Sequence, residues 1–239
     1  FQLGVEFDLT PATSVYARLS SAYRAPQINE LYRLQKEQEI TTIKPEQLDS
    51  IEAGVRYRAK QWYAELAIYS MDKDQVIVKD SNSYIVNDGQ TSHQGIEWKL
   101  RYQLNEDWQV TSTGAWSKHQ YTYDRLFSGT TINGNDIDTA PRWQGGAQLL
   151  WEPSEQITAE LEWVYLGKYF LDPQNAHEYA GHNIFNLTVQ KRYTQWDLRL
   201  QMTNLSDRRI ADRADYAFGS YRYFVGEGRG LSLELKRQF

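Results

Sequence analysis

The chain ends with the nine residues Leu231-Ser232-Leu233-Glu234-Leu235-Lys236-Arg237-Gln238-Phe239. Apolar and polar side chains alternate strictly as far as Lys236, and the last residue is aromatic. A period of two places the three leucines and Phe239 on one face of a β-strand, and Glu234 and Lys236 on the other. A terminal strand of this kind needs a partner for its free edge. The stretch therefore favours a transmembrane β-barrel, in which the last strand closes the sheet and the strands are apolar outside and polar inside.

The composition of the whole chain is compatible with a barrel, although at first sight it resembles that of a soluble protein. The 239 residues carry a net charge of −5, the mean hydropathy is −0.69, and no apolar run approaches the length of a membrane-spanning helix. Hydropathy is a weak guide to transmembrane strands, because half of each strand is polar. The 17 Tyr and 8 Trp residues belong to the types that collect at membrane interfaces. Cysteine is absent, which excludes disulfides, thiolate metal ligands and cysteine nucleophiles.

Eleven segments show this alternation, and no helical period of comparable strength interrupts them. They are residues 2–9, 15–20, 51–58, 62–68, 96–102, 108–117, 141–151, 156–165, 184–191, 196–203 and 231–239. The sequence therefore predicts an all-β protein built from eleven antiparallel strands.

The connections between these segments alternate in length. Tight turns fall at residues 10–12, 60–61, 103–107, 152–155 and 192–195, whereas long connections fall at 22–47, 72–94, 118–140, 167–183 and 205–228. Within 72–94 the pattern predicts a small hairpin of 75–79 against 84–87. Short turns at one end and long loops at the other are typical of an outer-membrane barrel.

Aromatic and charged residues are distributed as a membrane requires. Trp62, Trp108, Trp151 and Trp196 each lie beside a short turn, which predicts an aromatic girdle at one interface. The charged strand residues share the face opposite the apolar one, apart from Lys191 and Arg237 near strand ends, where long side chains reach water. A soluble β-sandwich also alternates, but it requires neither one-sided loop lengths nor tryptophan beside the turns.

A resemblance to a known family is carried by motifs in a fixed order. Residues 22–32 are Ala-Tyr-Arg-Ala-Pro-Gln-Ile-Asn-Glu-Leu-Tyr, and Pro45-Glu46 and the Glu52-Ala53-Gly54 strand follow. Gly95-Ile96-Glu97, Asn204-Leu205-Ser206-Asp207, Gly228-Arg229-Gly230 and the terminal Phe239 come later. Together the motifs resemble those of TonB-dependent outer-membrane receptors of the ferric-siderophore type.

The resemblance implies a fold, a location and partners. Such transporters are barrels of about 22 strands with a plugged lumen, so residues 1–239 would form the C-terminal part of one barrel domain, about its last eleven strands. The plug and the first strands would be missing from the chain. The protein would lie in the bacterial outer membrane, bind a siderophore on external loops and be energised by periplasmic TonB through the missing N-terminal region. The cargo would be an iron chelate, with no cofactor and no nucleic-acid partner.

Two groups of residues follow from the motifs and from the chemistry of chelates. Structural roles at the loop base and the barrel end are expected for the residues of the family motifs, which are Tyr23, Arg24, Pro26, Glu30, Leu31, Tyr32 and Phe239. Aromatic faces and guanidinium groups suit anionic, planar chelates. We predict ligand binding for a set of residues of these types in or directly beside the long loops, which are Trp116, Tyr121, Tyr169, Arg213, Tyr216, Tyr221 and Arg222.

Other activities find less support in the sequence. His93, His119, His177 and His182 all fall on the long-loop side but in three different loops, so no metal-ligand set is predicted. Residues 33–44 contain no histidine, whereas haem receptors of this family often have one there. Cobalamin, free metal and haem nevertheless stay open as alternative cargoes. No arrangement of nucleophile and base is recognisable, so the protein is not expected to be an enzyme.

Overall fold

A computed structural model describes residues 1–32, 43–79, 85–124, 126–127 and 129–237. The prediction of an all-β fold is confirmed. Described in chain order, the elements are β1 (Gln2–Thr10), β2 (Thr13–Arg24), α1 (Ile28–Tyr32), β3 (Glu46–Arg58), β4 (Trp62–Lys79), β5 (Ile85–Gln103), β6 (Trp108–Tyr121), β7 (Leu126–Phe127), β8 (Thr130–Thr131), β9 (Trp143–Ser154), β10 (Ile157–Leu166), β11 (Tyr169–Phe170), β12 (Glu178–Tyr179), β13 (His182–Arg192), β14 (Trp196–Thr203), β15 (Ala211–Ala217), β16 (Ser220–Val225) and β17 (Gly230–Arg237).

One antiparallel sheet contains eleven of these strands, in the order β1-β2-β3-β4-β5-β6-β9-β10-β13-β14-β17. The predicted number of strands is therefore confirmed. The six remaining strands form three small hairpins, β7–β8, β11–β12 and β15–β16, which the alternation pattern did not predict. None of the helices in the described ranges has the length and hydropathy needed to cross a membrane.

The strand register separates an apolar face from a polar one. Leu200 lies between Val189 and Leu233, and the adjacent Arg199 lies between Gln190 and Glu234. Because directly paired residues share a face, every strand contributes apolar residues to one side of the sheet and polar residues to the other. We call these sides the outer and the inner face.

Ion pairs connect adjacent strands, and in one case β1 and β3 across β2, on the inner face. The Arg56 guanidinium lies 2.9 Å from Glu6 Oε1 and 3.1 Å from Glu65 Oε1. Arg18 donates to Glu52 Oε2 at 2.8 Å. These side chains are partly exposed, so each pair contributes little to stability. Their alignment nevertheless shows that the predicted charged face exists.

Aromatic side chains line the outer face beside the short turns. The Trp62 and Tyr102 rings stack with centroids 4.2 Å apart, and the Trp108 and Trp151 centroids are 5.8 Å apart. The Arg237 guanidinium lies 5.3 Å from the Trp196 ring centroid. The predicted girdle is therefore present at the short-turn end. Phe239, which was expected at the same level, lies outside the described residues.

The glycines of two family motifs have a steric explanation. Gly54 pairs with Tyr16 across β2 and β3, and a Cβ atom at Gly54 would lie 2.5 Å from the tyrosine ring. Gly95 pairs with Tyr69 across β4 and β5, and a Cβ atom at Gly95 would lie 2.5 Å from the Tyr69 hydroxyl oxygen. A ring laid across a glycine on the neighbouring strand leaves no room for another side chain at that position.

The strands extend further at the long-loop end than the sequence predicted. The expected 72–94 connection is largely sheet, since β4 continues to Lys79 and β5 begins at Ile85. The expected hairpin is the continuation of these two strands, with Val76 opposite Gly89 and Val78 opposite Val86; Tyr84 lies outside the described residues. The prediction failed because the outer face becomes polar here, at Asp72 and Gln94, while backbone pairing continues.

The face assignment predicts different effects for adjacent substitutions in β14. Leu200→Arg places a charge on the outer face near mid-strand and should lower the free energy of unfolding by about 2–4 kcal/mol. Arg199→Leu changes the inner face and should have a smaller effect. Urea titrations of both variants, folded into the same detergent or lipid, measure the difference. The opposite order would show that the register of β14 is shifted by one residue.

Candidate functional site

Three long connections lie together at the long-loop end of the sheet. We call them loop C (residues 122–124, 126–127 and 129–142), loop D (167–181) and loop E (204–229). The buried apolar cluster of the described chain lies between loops D and E rather than in the sheet, and consists of Tyr169, Leu171, Ala211 and Ala214. A hydrophobic cluster between loops holds them in a defined arrangement.

Asn175 joins loop D to loop C. Its side chain accepts a hydrogen bond from Asp136 N and donates one to Asp136 O, both at 2.8 Å. Asn135 Nδ2 donates to Pro173 O at 2.9 Å, and Thr139 N donates to Phe170 O at 2.8 Å. Asn175 has a φ of 58°, a conformation that asparagine adopts more readily than most residues.

Backbone groups of loop E bind to loop D. Ala214 N donates to the Tyr169 hydroxyl at 2.9 Å, and Ala211 N donates to the Tyr179 hydroxyl at 3.1 Å. Tyr216 N donates to Leu171 O at 3.0 Å. Loops C, D and E therefore form one hydrogen-bonded unit.

The base of loop E brings two of the family motifs together. The Asn204 side chain is 2% exposed and forms hydrogen bonds with Arg208 N, Arg208 O and Glu227 O. Asp207 accepts a hydrogen bond from Arg229 N at 3.1 Å. The Asn204–Asp207 and Gly228–Gly230 segments thus close the loop from both sides.

Asp172 shapes the turn of loop D and places His177. Its buried carboxylate accepts hydrogen bonds from Ala176 N at 3.0 Å and His177 N at 2.9 Å, and lies 2.7 Å from His177 Nδ1. The His177 ring stacks on Tyr216 with centroids 3.4 Å apart and planes 11° apart, and it meets the Tyr221 ring edge-on at 5.4 Å. A loop histidine thus supports two of the predicted ligand-binding residues.

One face of the β15–β16 hairpin is aromatic. Tyr216 pairs with Tyr221, and Ala214 pairs with Tyr223, so the three tyrosines share a face. The Tyr221 and Tyr223 rings lie 4° from parallel with centroids 6.2 Å apart, and the two residues are 49% and 53% exposed. We call Tyr216, Tyr221 and Tyr223 the tyrosine face.

The two predicted arginines lie on the opposite face of the same hairpin. Arg213 pairs with Phe224, and Asp215 pairs with Arg222. The buried Asp215 carboxylate accepts hydrogen bonds from both arginines. Tyrosine and arginine therefore do not form the single mixed surface that their proximity in the sequence suggested.

The other predicted ligand-binding residues are not part of the tyrosine face, although Tyr169 belongs to the buried cluster against which Tyr216 packs. Tyr169 is 6% exposed and holds loop E by its hydroxyl group. The Tyr121 hydroxyl donates to Asp138 Oδ1 at 2.6 Å, and burial raises the pKa of this phenol. Trp116 pairs with Ile96 and Trp143 on the outer face, where its ring contacts that of Trp143. Trp116 is therefore positioned for the upper membrane interface rather than for the loops.

The histidines are less scattered than the sequence suggested. His93 pairs with His119 across β5 and β6, and their Nδ1 atoms lie 2.8 Å apart. The argument that separate loops keep the histidines apart is therefore wrong for this pair. His182 Nδ1 lies 2.9 Å from the Tyr179 hydroxyl. The described ranges contain no group of three or more His, Asp or Glu side chains arranged to hold a metal ion.

The residues of the first family motif gather around Glu46, which is 3% exposed. Its carboxylate accepts two hydrogen bonds from Arg24 at 2.8 Å and one from Ile77 N at 3.0 Å, and Lys73 Nζ lies 2.7 Å away. Arg24 also donates to Glu30, whose carboxylate accepts a hydrogen bond from Gln27 N at the start of α1. This cluster ties α1 to β3 and β4.

The remaining residues of that motif are at the surface. Tyr23 and Tyr32 are largely exposed, and Pro26 and Leu31 are partly exposed. They flank the Arg24 contacts, and Leu31 N donates to Gln27 O at 3.1 Å. We call Arg24, Glu30, Glu46 and Lys73 the loop anchor.

Comparison with known proteins identifies the family. The family "TonB dependent receptor-like, beta-barrel" matches residues 1–205. The chain belongs to the TonB-dependent receptors. These are outer-membrane transport receptors of Gram-negative bacteria, so the long-loop end is the extracellular end.

Individual relatives agree with this assignment. The ferric yersiniabactin uptake receptor FyuA of Yersinia pestis has a TM-score of 0.83 at 17% identity, over 100% of this chain and 37% of FyuA. The siderophore receptor PiuA of Acinetobacter baumannii has a TM-score of 0.79 at 20% identity, over 98% of this chain and 35% of PiuA. The hemophilin receptor of Acinetobacter baumannii is 29% identical over 109 residues, which are 42% of this chain and 10% of that receptor. The chain thus spans little more than a third of the solved receptors.

Two features of the site could not be found by sequence reasoning. Asp172 and His177 carry no motif, and their contact depends on the turn between them. The β15–β16 hairpin turns at Phe218 and Gly219, with φ values of 54° and 74°. Glycine is usual there, but phenylalanine is rare at a positive φ, so the turn signal was weak and the alternation of tyrosine and arginine was not recognised.

The loop anchor should stabilise the receptor in a pH-dependent way. The Arg24 guanidinium, followed by Lys73 and the Ile77 amide, lowers the pKa of Glu46 from 4.5 to about 2 against the effect of burial. A lowered pKa stabilises the folded state above the unfolded value, and this contribution disappears as the pH falls from 4.5 towards 2. Glu46→Gln should therefore lower the free energy of unfolding at pH 7 by about 3 kcal/mol.

Urea titrations at pH 7 and pH 3 measure this effect, and Glu52→Gln is a matched control. The Glu52 side chain is 25% exposed, against 3% for Glu46, so its substitution should cost less than about 1 kcal/mol. The difference between Glu46→Gln and the wild type should shrink at pH 3. Equal stability of both variants at pH 7 would contradict the proposed importance of the anchor.

Proposed function

We propose that the receptor containing this chain imports a ferric siderophore and is energised by TonB. The observation that carries the proposal is the tyrosine face, two of whose rings are exposed on an interlocked set of extracellular loops. Aromatic faces provide contact area and bind cationic or planar groups at little entropic cost. The similarity to receptors whose names specify siderophores or iron chelates supports the same conclusion.

The loops are built to bind without large rearrangement. His177 supports Tyr216 and Tyr221 from loop D, and Asp172 fixes His177. Loop C in turn is bound to loop D through Asn175. A surface whose side chains are already ordered loses less conformational entropy when a ligand binds.

We further propose that residues 1–239 form the C-terminal part of a single barrel domain. The eleven-stranded sheet has β1 and β17 at its edges, and open edges are not tolerated in lipid. Additional strands would close the barrel, and a plug domain would occupy the inner face. Cargo captured on the loops would then pass a plug that periplasmic TonB remodels.

Removal of the exposed tyrosines should weaken cargo binding. Tyr221→Ala with Tyr223→Ala removes the exposed part of the tyrosine face, and the pair should cost about 1–3 kcal/mol of binding free energy if it forms a hot spot. Binding and uptake of iron-55 complexed with catecholate, hydroxamate and carboxylate siderophores measure the effect on whole cells. Uptake, but not binding, should also require TonB.

The opposite face of the hairpin provides the matched control. Arg213→Gln with Arg222→Gln alters the same hairpin but leaves the tyrosine face in place, and should weaken binding less. Surface display and heat-modifiable migration on gels confirm folding of each variant. Greater loss of binding in the arginine variant than in the tyrosine variant would show that the cargo binds to the face of the hairpin that carries Arg213 and Arg222.

Histidine substitutions separate the alternative cargoes. We expect His93→Gln, His119→Gln and His182→Gln together to leave ferric-siderophore uptake within about twofold of the wild type, because a chelated iron needs no imidazole ligand. His177 is kept because it supports the tyrosine face. Haem or free-metal uptake that depends on these histidines, in cells that take up no ferric siderophore, would overturn the siderophore proposal.

A further inference from the structure

Four positively charged residues lie together at the short-turn end of the inner face. Arg58 and Arg101 are the two cross-strand partners of Tyr63, and Lys99 lies two positions from Arg101 on β5. Lys60, in the turn between β3 and β4, lines the same cavity as these residues. All four cationic side chains belong to exposed residues. We call Arg58, Lys60, Lys99 and Arg101 the basic cluster.

No carboxylate of the described ranges forms an ion pair with the basic cluster. Glu65 is the cross-strand partner of Lys99, but its two oxygens are bound elsewhere. Oε1 accepts a hydrogen bond from Arg56 at 3.1 Å, and Oε2 accepts one from the Tyr63 hydroxyl at 2.7 Å. Arg58 and Lys99 lie beside the Tyr63 ring, 5.6 and 6.0 Å from its centroid. The positive charge at this end of the sheet is therefore not neutralised by the sheet itself.

Closer to the middle of the sheet, the charges of the inner face do neutralise one another. Arg18 is paired with Glu52 at 2.8 Å, and Arg56 is paired with both Glu6 and Glu65. Two guanidinium groups and three carboxylates thus satisfy each other within the sheet. The contrast indicates that the basic cluster has its partner outside the sheet.

The position of the strands determines from which side a partner approaches. The cluster lies on β3, β4 and β5 and the turn between the first two, and these strands have β2 and β6 as their outer neighbours. Further barrel strands can add only at β1 and β17, the edges of the sheet. A partner of the basic cluster therefore has to approach from the lumen.

We propose that an acidic segment of the plug, which precedes Phe1 in the full-length receptor, docks on the basic cluster. The inference rests on the part of the proposed function that places a plug at the inner face. The similar solved receptors contain enough additional chain, since this chain covers 37% of FyuA and 35% of PiuA. In a plugged lumen the four cations lose much of their water, and a charge without water requires a partner of opposite sign. Asp and Glu side chains provide that partner, and arginine binds a carboxylate through two parallel hydrogen bonds.

The extent of the cluster favours a segment with several carboxylates over one small anion. Arg58 and Arg101 lie on strands separated by β4, and two strand spacings amount to about 9.6 Å. Lys99 lies about 6.8 Å further along β5. Carboxylates distributed along one peptide segment can meet cations at these separations, whereas a single phosphate or carboxylate group meets only part of the cluster.

The amines of Lys60 and Lys99 allow a direct test in the purified full-length receptor. A water-soluble carbodiimide joins a lysine amine to a carboxylate in contact with it, and takes up the water that is lost when the amide bond forms. Mass spectrometry of the digested receptor should show amide bonds from Lys60 or Lys99 to Asp or Glu residues that precede Phe1. Lys191 is the control, because it lies on the outer face between Ile157 and Leu198 and should form no such bond.

Substitution of the two arginines shows whether charge holds the segment in place. Arg58→Gln with Arg101→Gln should lower the yield of the Lys60 and Lys99 cross-links about tenfold, because two charge-assisted contacts are lost. Arg18→Gln is the matched control, since Arg18 has its own partner in Glu52, and should leave the yield unchanged. Heat-modifiable migration on gels confirms that each variant is folded.

The outcomes separate this inference from the siderophore proposal, because cross-linking requires neither a siderophore nor TonB. A folded receptor that takes up ferric siderophore but forms no cross-link from Lys60 or Lys99 to the N-terminal region would overturn the docking of the plug alone. Cross-links only to carboxylates within residues 1–239, such as Glu65, would overturn it as well. Cross-links to the N-terminal region in a receptor that takes up no ferric siderophore would support the docking and contradict the siderophore proposal.

Discussion

The structure depends on an unbroken ladder of backbone hydrogen bonds from β1 to β17. In lipid no water can satisfy backbone groups, so every strand inside the membrane needs a partner on each side. The ladder also determines whether each side chain lies on the inner or the outer face of the sheet. Arg199 and Leu200 have opposite surroundings although they are neighbours in sequence, because their partners are Glu234 and Leu233. A slip of one residue would reverse these surroundings along a whole strand.

The extracellular end is organised by a different principle. Above the membrane, water can satisfy the backbone, and the strands give way to loops whose order comes from side chains. Asn175, Asp172 and Asn204 bind the backbone groups that lack strand partners. Side-chain amides and carboxylates of this kind can fix irregular loops without a large apolar core. Glu46 has the same role where α1 meets the sheet.

The sequence predicted what alternation can encode. The eleven strands, the outer tryptophans and the inner charges follow from a period of two, and the structure confirms them. The same reasoning does not reveal the split of Tyr221 and Arg222 between two faces, because the sequence pattern predicts a long connection, with no hairpin, over residues 205–228. Where the sequence does not reveal a hairpin, it cannot predict on which face of the hairpin a residue lies.

The sequence also did not predict contacts between segments that are distant along the chain. His93 and His119 are 26 residues apart, and only the register of β5 and β6 places them side by side. The register could have been estimated from the tight turn between them, but the predicted strands ended before either histidine. His177 and Tyr216 meet through the folding of two loops, for which a single sequence holds no periodic signal. The sequence therefore predicts the faces of the membrane strands correctly, but not the relative positions of the loop residues.

The hydrogen bonds among loops C, D and E have a consequence for exchanging parts between receptors. A graft of loop E alone would leave the Tyr169 and Tyr179 hydroxyl groups without their amide partners and Leu171 without its neighbours. A graft of loop D alone would break the two bonds of Asn175 to Asp136. The three segments form one transplantable module, so a recognition surface of this type has to be moved between barrels, or redesigned, as a whole.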